Sequence, residues 1–146
     1  MLLAGLSGPA LAADCPNPAE WAKPEHHQAG RSPDMKFGLK TGTAHELGLL
    51  GQDQVKFATG GVARKGYAGV AAIDVPRAGM LIVVVSNRTF VDLIRDGKAL
   101  HLAGEPAHPD CPGVRKALMF AVTPGRHLVQ LSGSENQTIK LATILN

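Results

Sequence analysis

Six histidines, two cysteines and twelve carboxylates are the groups of this 146-residue chain whose types and spacing could do chemistry. His101, Glu105 and His108 fall in one short run, His101-Leu102-Ala103-Gly104-Glu105-Pro106-Ala107-His108. Two imidazoles and one carboxylate are the ligand set of a non-haem iron(II) facial triad, which leaves positions open for substrate and dioxygen. The Gly and Pro of the run place it in a loop. A second group, Glu25-His26-His27, offers the adjacent imidazoles His26 and His27, donors that suit Cu(II), Ni(II) or Zn(II). His45 and His127 each alternate with apolar residues, as strand side chains beside a core do. The leading expectation is no cofactor, with Fe, Cu or Zn as the metals these groups would take.

Other reactive constellations are missing. No Gly-x-Ser-x-Gly elbow occurs, and Leu131-Ser132-Gly133-Ser134 is turn chemistry. Thr59-Gly60-Gly61 is not continued into a phosphate loop. Asp92 sits in Phe90-Val91-Asp92-Leu93-Ile94, on the strand face opposite Val91 and Leu93. If that face is buried, the carboxylate needs a cation, and Arg95 and Arg115 are the candidates. Arg64, Tyr67, Arg115 and Lys116 lie in loops or beside them and form the expected binding surface. Trp21 and Tyr67 are too few for the aromatic platform of a carbohydrate binder. Asn87-Arg88-Thr89 and Asn136-Gln137-Thr138 are glycosylation sequons that double as turns.

The elements that must position these groups are strands. Met80 to Val85 is wholly apolar, as in a strand buried on both faces. Period-two alternation runs through Thr43–Leu49, Ala71–Val75, Leu118–Val122 and His127–Leu131, and Val55 and Phe57 flank Lys56 in the same way. Asp96-Gly97 is a preferred hairpin dipeptide. Asp74–Ile82 and Ala121–Val129 echo each other as strand, Pro/Gly turn, strand. Turn signals every 8–12 residues predict an all-β fold: an antiparallel β-sandwich, jelly-roll-like, over residues 39–146. An immunoglobulin-like Greek key is the alternative. Residues 13–38 hold Pro16, Pro18, Pro24 and Pro33 and no period. They read as an extended N-terminal arm with one helical turn near Pro18, anchored by Trp21.

Met1–Ala12 reads MLLAGLSGPALA, uncharged and ending in Ala10-Leu11-Ala12. It reads as the tail of a signal peptide whose start is missing or whose start codon is misplaced, and it predicts a periplasmic or secreted chain. Asp14 before Cys15 argues against lipidation. Export permits a disulfide, and Cys15 and Cys111 allow one pairing. Composition agrees with a single globular domain: 45% hydrophobic, 18% charged, with 17 Gly and 10 Pro. A net charge of +3, with no basic run longer than two residues, argues against nucleic acid. No run approaches the ~18 apolar residues of a transmembrane segment.

Trp21-Ala22-Lys23-Pro24, Cys111-Pro112-Gly113-Val114-Arg115-Lys116 and the Pro124-Gly125-Arg126 turn before Leu131-Ser132-Gly133 carry a resemblance. Together with the Cys15-Pro16 start, they are similar to short exported alphaproteobacterial β-sandwich proteins that often bear the label homogentisate 1,2-dioxygenase. The resemblance spans about residues 13–146 and implies a ring-cleaving dioxygenase using non-haem iron. Ile73-Asp74-Val75-Pro76-Arg77-Ala78-Gly79 and Asp92-Leu93-Ile94-Arg95-Asp96-Gly97-Lys98 resemble, more weakly, prepeptidase C-terminal-type domains. There Leu81 stands where those domains carry an aromatic residue.

The leading functional expectation is a non-catalytic binding or accessory module of the periplasm, its partner a protein, peptide or small molecule. The alternatives are the iron dioxygenase, at His101, Glu105 and His108, and a copper- or zinc-binding protein, at His26 and His27.

Overall fold

The structure is a computed structural model, and it describes residues 15–34, 38–59, 65–107 and 111–146. Residues 1–12, where a signal peptide is expected, and Arg64 and His108 lie outside the described residues. The chain is an all-β sandwich of two sheets. The arm opens with a short helix α1 (Pro18–Ala22). Strands β1 (Glu25–Gln28), β2 (Gly38–Lys40), β3 (Ala44–Gly48) and β4 (Leu50–Gly51) follow. After a 3-10 turn at Gln52–Gln54 come the long strands β5 (Tyr67–Val75) and β6 (Gly79–Val85). The remainder is β7 (Phe90–Arg95), β8 (Lys98–Ala99), β9 (Lys116–Val122), β10 (Gly125–Ser134) and β11 (Thr138–Leu145).

The front sheet runs β1-β3-β11-β6-β9 and the back sheet β2-β5-β10-β7-β8, with β4 on β5. Period-two alternation decides what lies between them. Leu81, Val83 and Val85 of β6 meet Val129 and Leu131 of β10 and Leu93 of β7 in one core. The opposite face of β6, Ile82 and Val84, packs with Trp21, Ala117 and Ala142 in a second cluster on the outside of the front sheet. Leu81–Val85 is therefore apolar throughout because it is covered on both faces, whereas Met80 at the start of the run is exposed. Asp96 and Gly97 both take positive φ, 53° and 76°, in the two-residue turn from β7 to β8.

The predicted helical turn and tryptophan anchor are present. Asn17 caps α1, its side-chain oxygen accepting from the backbone N–H groups of Ala19 and Glu20 at 3.0 and 3.2 Å. Trp21 is 7% exposed. Cys15 and Cys111 form a disulfide, with Cα atoms 5.3 Å apart.

Three expectations change. The sandwich is not purely antiparallel: β1 pairs parallel to β3, and β2 parallel to β5. Both exceptions are edge strands at or next to the arm. The arm is accordingly not merely extended, since its residues 25–28 complete a sheet. Val55 and Phe57 form no strand either. Their segment lies across the outside of the back sheet, against Ala68, Val70 and Leu128. Gln130, buried beneath it, fixes the segment: its Oε1 accepts from Ala58 N at 2.8 Å and its Nε2 donates to the Thr59 carbonyl at 3.3 Å. Among the described residues no helix is long and apolar enough to cross a membrane.

Candidate functional site

Two constellations stand out, at opposite edges of the front sheet. The first is a groove of about 470 Å³ at the start of β9, lined by Arg88, Thr89, Glu105, Pro106, Ala107, Arg115, Lys116 and Ala117. Three backbone elements build it. The 86–89 turn is pinned where Thr89 Oγ1 donates to the buried Ser132 carbonyl at 3.1 Å. The loop carrying Glu105 is tied to β9, with Met119 N donating to Gly104 O at 2.8 Å and Ala103 N to Met119 O at 2.7 Å. Arg115 N donates to Val85 O at 2.8 Å, which sets the floor.

Charge in the groove is lopsided. Arg88 and Arg115 are exposed, and among the described residues neither has an ion-pair partner. Lys116 is half-buried; its ammonium donates to Thr89 O at 3.0 Å and lies 5.9 Å above the Phe90 ring centroid. Among the described residues Glu105 is the single carboxylate of the lining. Two guanidinium forks and an ammonium suit a carboxylate or phosphate group. Of the expected binding surface, Arg115 and Lys116 meet here. Tyr67 does not line the groove: it is half-buried against the main core, and β5 pairs it with Ser134.

Asp92 faces outward on β7, opposite Gln130, and is half-buried. Desolvation raises its pKa, partly offset by the positive charge of Lys116. Arg95 is committed elsewhere, donating to the carbonyls of Arg126 at 2.9 Å and Pro124 at 3.0 Å. Lys116 is the cation that Asp92 feels, so neither expected arginine is. A carboxyl whose folded pKa is raised takes up its proton more readily folded than unfolded. Its ionisation therefore costs the fold stability as pH rises through the raised value, and the cost is absent below the unfolded pKa. Asp92→Asn is expected to raise the melting temperature at pH 7, with the gain fading as pH falls through the usual carboxylate range. Parallel melts of both proteins from pH 3 to 7 test this, and a pH-independent difference contradicts it.

The second constellation is at the β1 edge. Parallel pairing places Glu25 beside His45, and period two puts His27 on the same face of β1 as Glu25. One donor atom from each of Glu25, His27 and His45 lies within 4.8 Å of the others. His27 Nε2 is 3.4 Å from Glu25 Oε1, and the rings of His27 and His45 are 5.1 Å apart, centroid to centroid. His45 is 3% exposed. Neither of its ring nitrogens makes a well-formed hydrogen bond, although the Lys40 backbone lies near enough to favour the charged ring. Burial outweighs that influence and, with the His27 charge, lowers its pKa. A buried polar group without a partner costs about 1–3 kcal/mol.

His26 is on the other face, its Nδ1 2.6 Å from Glu46 Oε1. The adjacent imidazoles His26 and His27 therefore diverge, and the residue that joins His27 is His45, from another strand. His101 and Glu105 are both exposed on the loop after β8. His127 is the inward core residue its alternation predicts, its Nδ1 3.0 Å from the Gly125 carbonyl and its pKa lowered by burial.

No family model matches the chain, and no curated protein is similar to it.

Proposed function

We propose that this is an exported, non-catalytic binding module whose groove between the 88–89 turn and the 104–107 loop takes a small ligand bearing a carboxylate or phosphate. The observation that carries this reading is the pair of exposed guanidinium groups, Arg88 and Arg115, on one hollow with Lys116. Among the described residues the one hydroxyl of the lining, Thr89 Oγ1, is already spent on the Ser132 carbonyl. The described part of the lining thus offers charge and shape, not an activated nucleophile. Export rests on the Ala10-Leu11-Ala12 pattern and is supported by the Cys15–Cys111 disulfide.

Calorimetric titration with citrate and with inorganic phosphate tests the groove. Binding is expected to weaken with added salt and to fall about 10- to 100-fold in Arg115→Ala, the value of one or two charge-assisted hydrogen bonds. Arg88→Ala should act in the same direction. Unchanged affinity in both variants would overturn the assignment.

A further inference from the structure

We propose that Glu25, His27 and His45 form a binding site for one divalent transition-metal ion of the zinc or copper(II) class. The site is separate from the groove. One row of the front sheet runs Glu25, His45, Leu141, Val85, Lys116, one residue from each strand. Four strand spacings, about 19 Å, therefore divide the clasp at one edge from the groove at the other.

Three observations carry the proposal. The first is the donor chemistry. Two imidazoles and one carboxylate match the borderline-soft divalent ions, whereas Mg(II) and Ca(II) require oxygen donors. The second is the burial of His45. A desolvated ring with no well-formed hydrogen bond, facing a second imidazole, is what a ligand waiting for a Lewis acid would be. A residue there only to fill the core would more cheaply be leucine, like its neighbour Leu141 on the same face.

The third observation is spacing. Donors held at about 2.0–2.1 Å in a tetrahedral shell stand about 3.4 Å apart. His27 Nε2 and Glu25 Oε1 are already 3.4 Å apart, which is long for a hydrogen bond. The whole set spreads no further than 4.8 Å. Closing it takes shifts of about 1 Å. Glu25, which is exposed, and His27 share an edge strand four residues long, and a movement of that strand toward His45 supplies them. That exposure also leaves the remaining coordination position to water or to an incoming donor, so the ion is exchangeable. His26 takes no part, because Glu46 holds it on the opposite face.

The test uses untagged protein stripped with chelator and titrated calorimetrically with zinc sulfate and with copper(II) sulfate, with magnesium chloride as the hard-ion control. One equivalent of zinc or copper is expected to bind, and magnesium is not. His45→Leu should lose about a hundredfold in affinity, and Glu25→Gln about tenfold. His26→Ala should bind as the parent does. Melting the metal-free proteins separates a missing ligand from a damaged fold, because His45→Leu exchanges an unsatisfied polar group for a core residue and should melt no lower. Should His45→Leu not fold, His27→Gln at the half-buried edge carries the same expectation of lost binding. Parental affinity in His45→Leu or His27→Gln overturns the site, as does an equal loss in His26→Ala.

Discussion

Exchanging both half-cystines, Cys15→Ser with Cys111→Ser, is expected to remove about 4 kcal/mol of stability and to lower the melting temperature by roughly 10 °C. The bridge joins residues 96 positions apart. Closing so long a loop restricts the unfolded chain strongly, so its release gives that ensemble much of its entropy back. The folded state loses something too. Among the described residues the arm begins at this bridge, and α1 and β1 depend on where it is held. Without the tether, α1 keeps its Asn17 cap and its tryptophan, and β1 keeps its four-residue edge pairing with β3 and the His26–Glu46 contact. Chemical denaturation of the oxidised parent and the double-serine variant measures the difference. A loss under about 1 kcal/mol would mean that the unfolded arm already lies close to the body.

The same arm marks where sequence reasoning stops. β6, the β7–β8 hairpin and the β9–β10 turn were legible because each is a local statement. An apolar run, an Asp-Gly pair and a Pro-Gly pair constrain only their neighbours. β1 was not legible. Glu25-His26-His27-Gln28 has no apolar residue, and nothing in it encodes a period. It is a strand because β3 presents an open edge of backbone donors and acceptors, a tertiary fact. Val55 and Phe57 show the converse. Their alternation is real, but it serves a segment lying flat across a sheet instead of one joining its edge. Alternation reports which residues are covered, not which backbone partner covers them.

The candidate sites divide along the same line. Arg115 and Lys116 were legible as a basic pair beside a Pro/Gly loop, and the groove assembles around them. Arg88, from the turn between β6 and β7, was missed as a partner, since only sheet pairing brings residues 88 and 115 together. At the other edge, alternation turned His45 inward but could not state its neighbours. Glu25 and His27 reach it through parallel register between segments about 20 residues apart in sequence. Adjacent histidines in sequence suggested a pair that the pleat then separates, because successive side chains of a strand point to opposite faces.

Trp21→Ala is expected to cost about 3 kcal/mol, toward the lower end for removing a buried tryptophan. The ring covers Ile82, Val84 and Ala142 on the outside of the front sheet, and Lys140 Nζ lies 5.8 Å above it. Gly113 passes so close that a Cβ there would stand 2.8 Å from the indole nitrogen. The loss stays moderate because the site is not sealed. An apolar hollow of about 530 Å³ beside the disulfide opens onto the same ring, so water can enter the space left behind. The disulfide and the tryptophan hold one arm, so their losses should not add. Once the arm of the double-serine protein is free to lift, removing the ring takes away contacts that are already intermittent. The expected coupling is on the order of 1 kcal/mol, with the triple variant more stable than the sum predicts. Denaturant melts followed by far-UV circular dichroism on all four proteins of the cycle measure it. Strict additivity would mean that tryptophan and bridge stabilise separate parts of the sandwich.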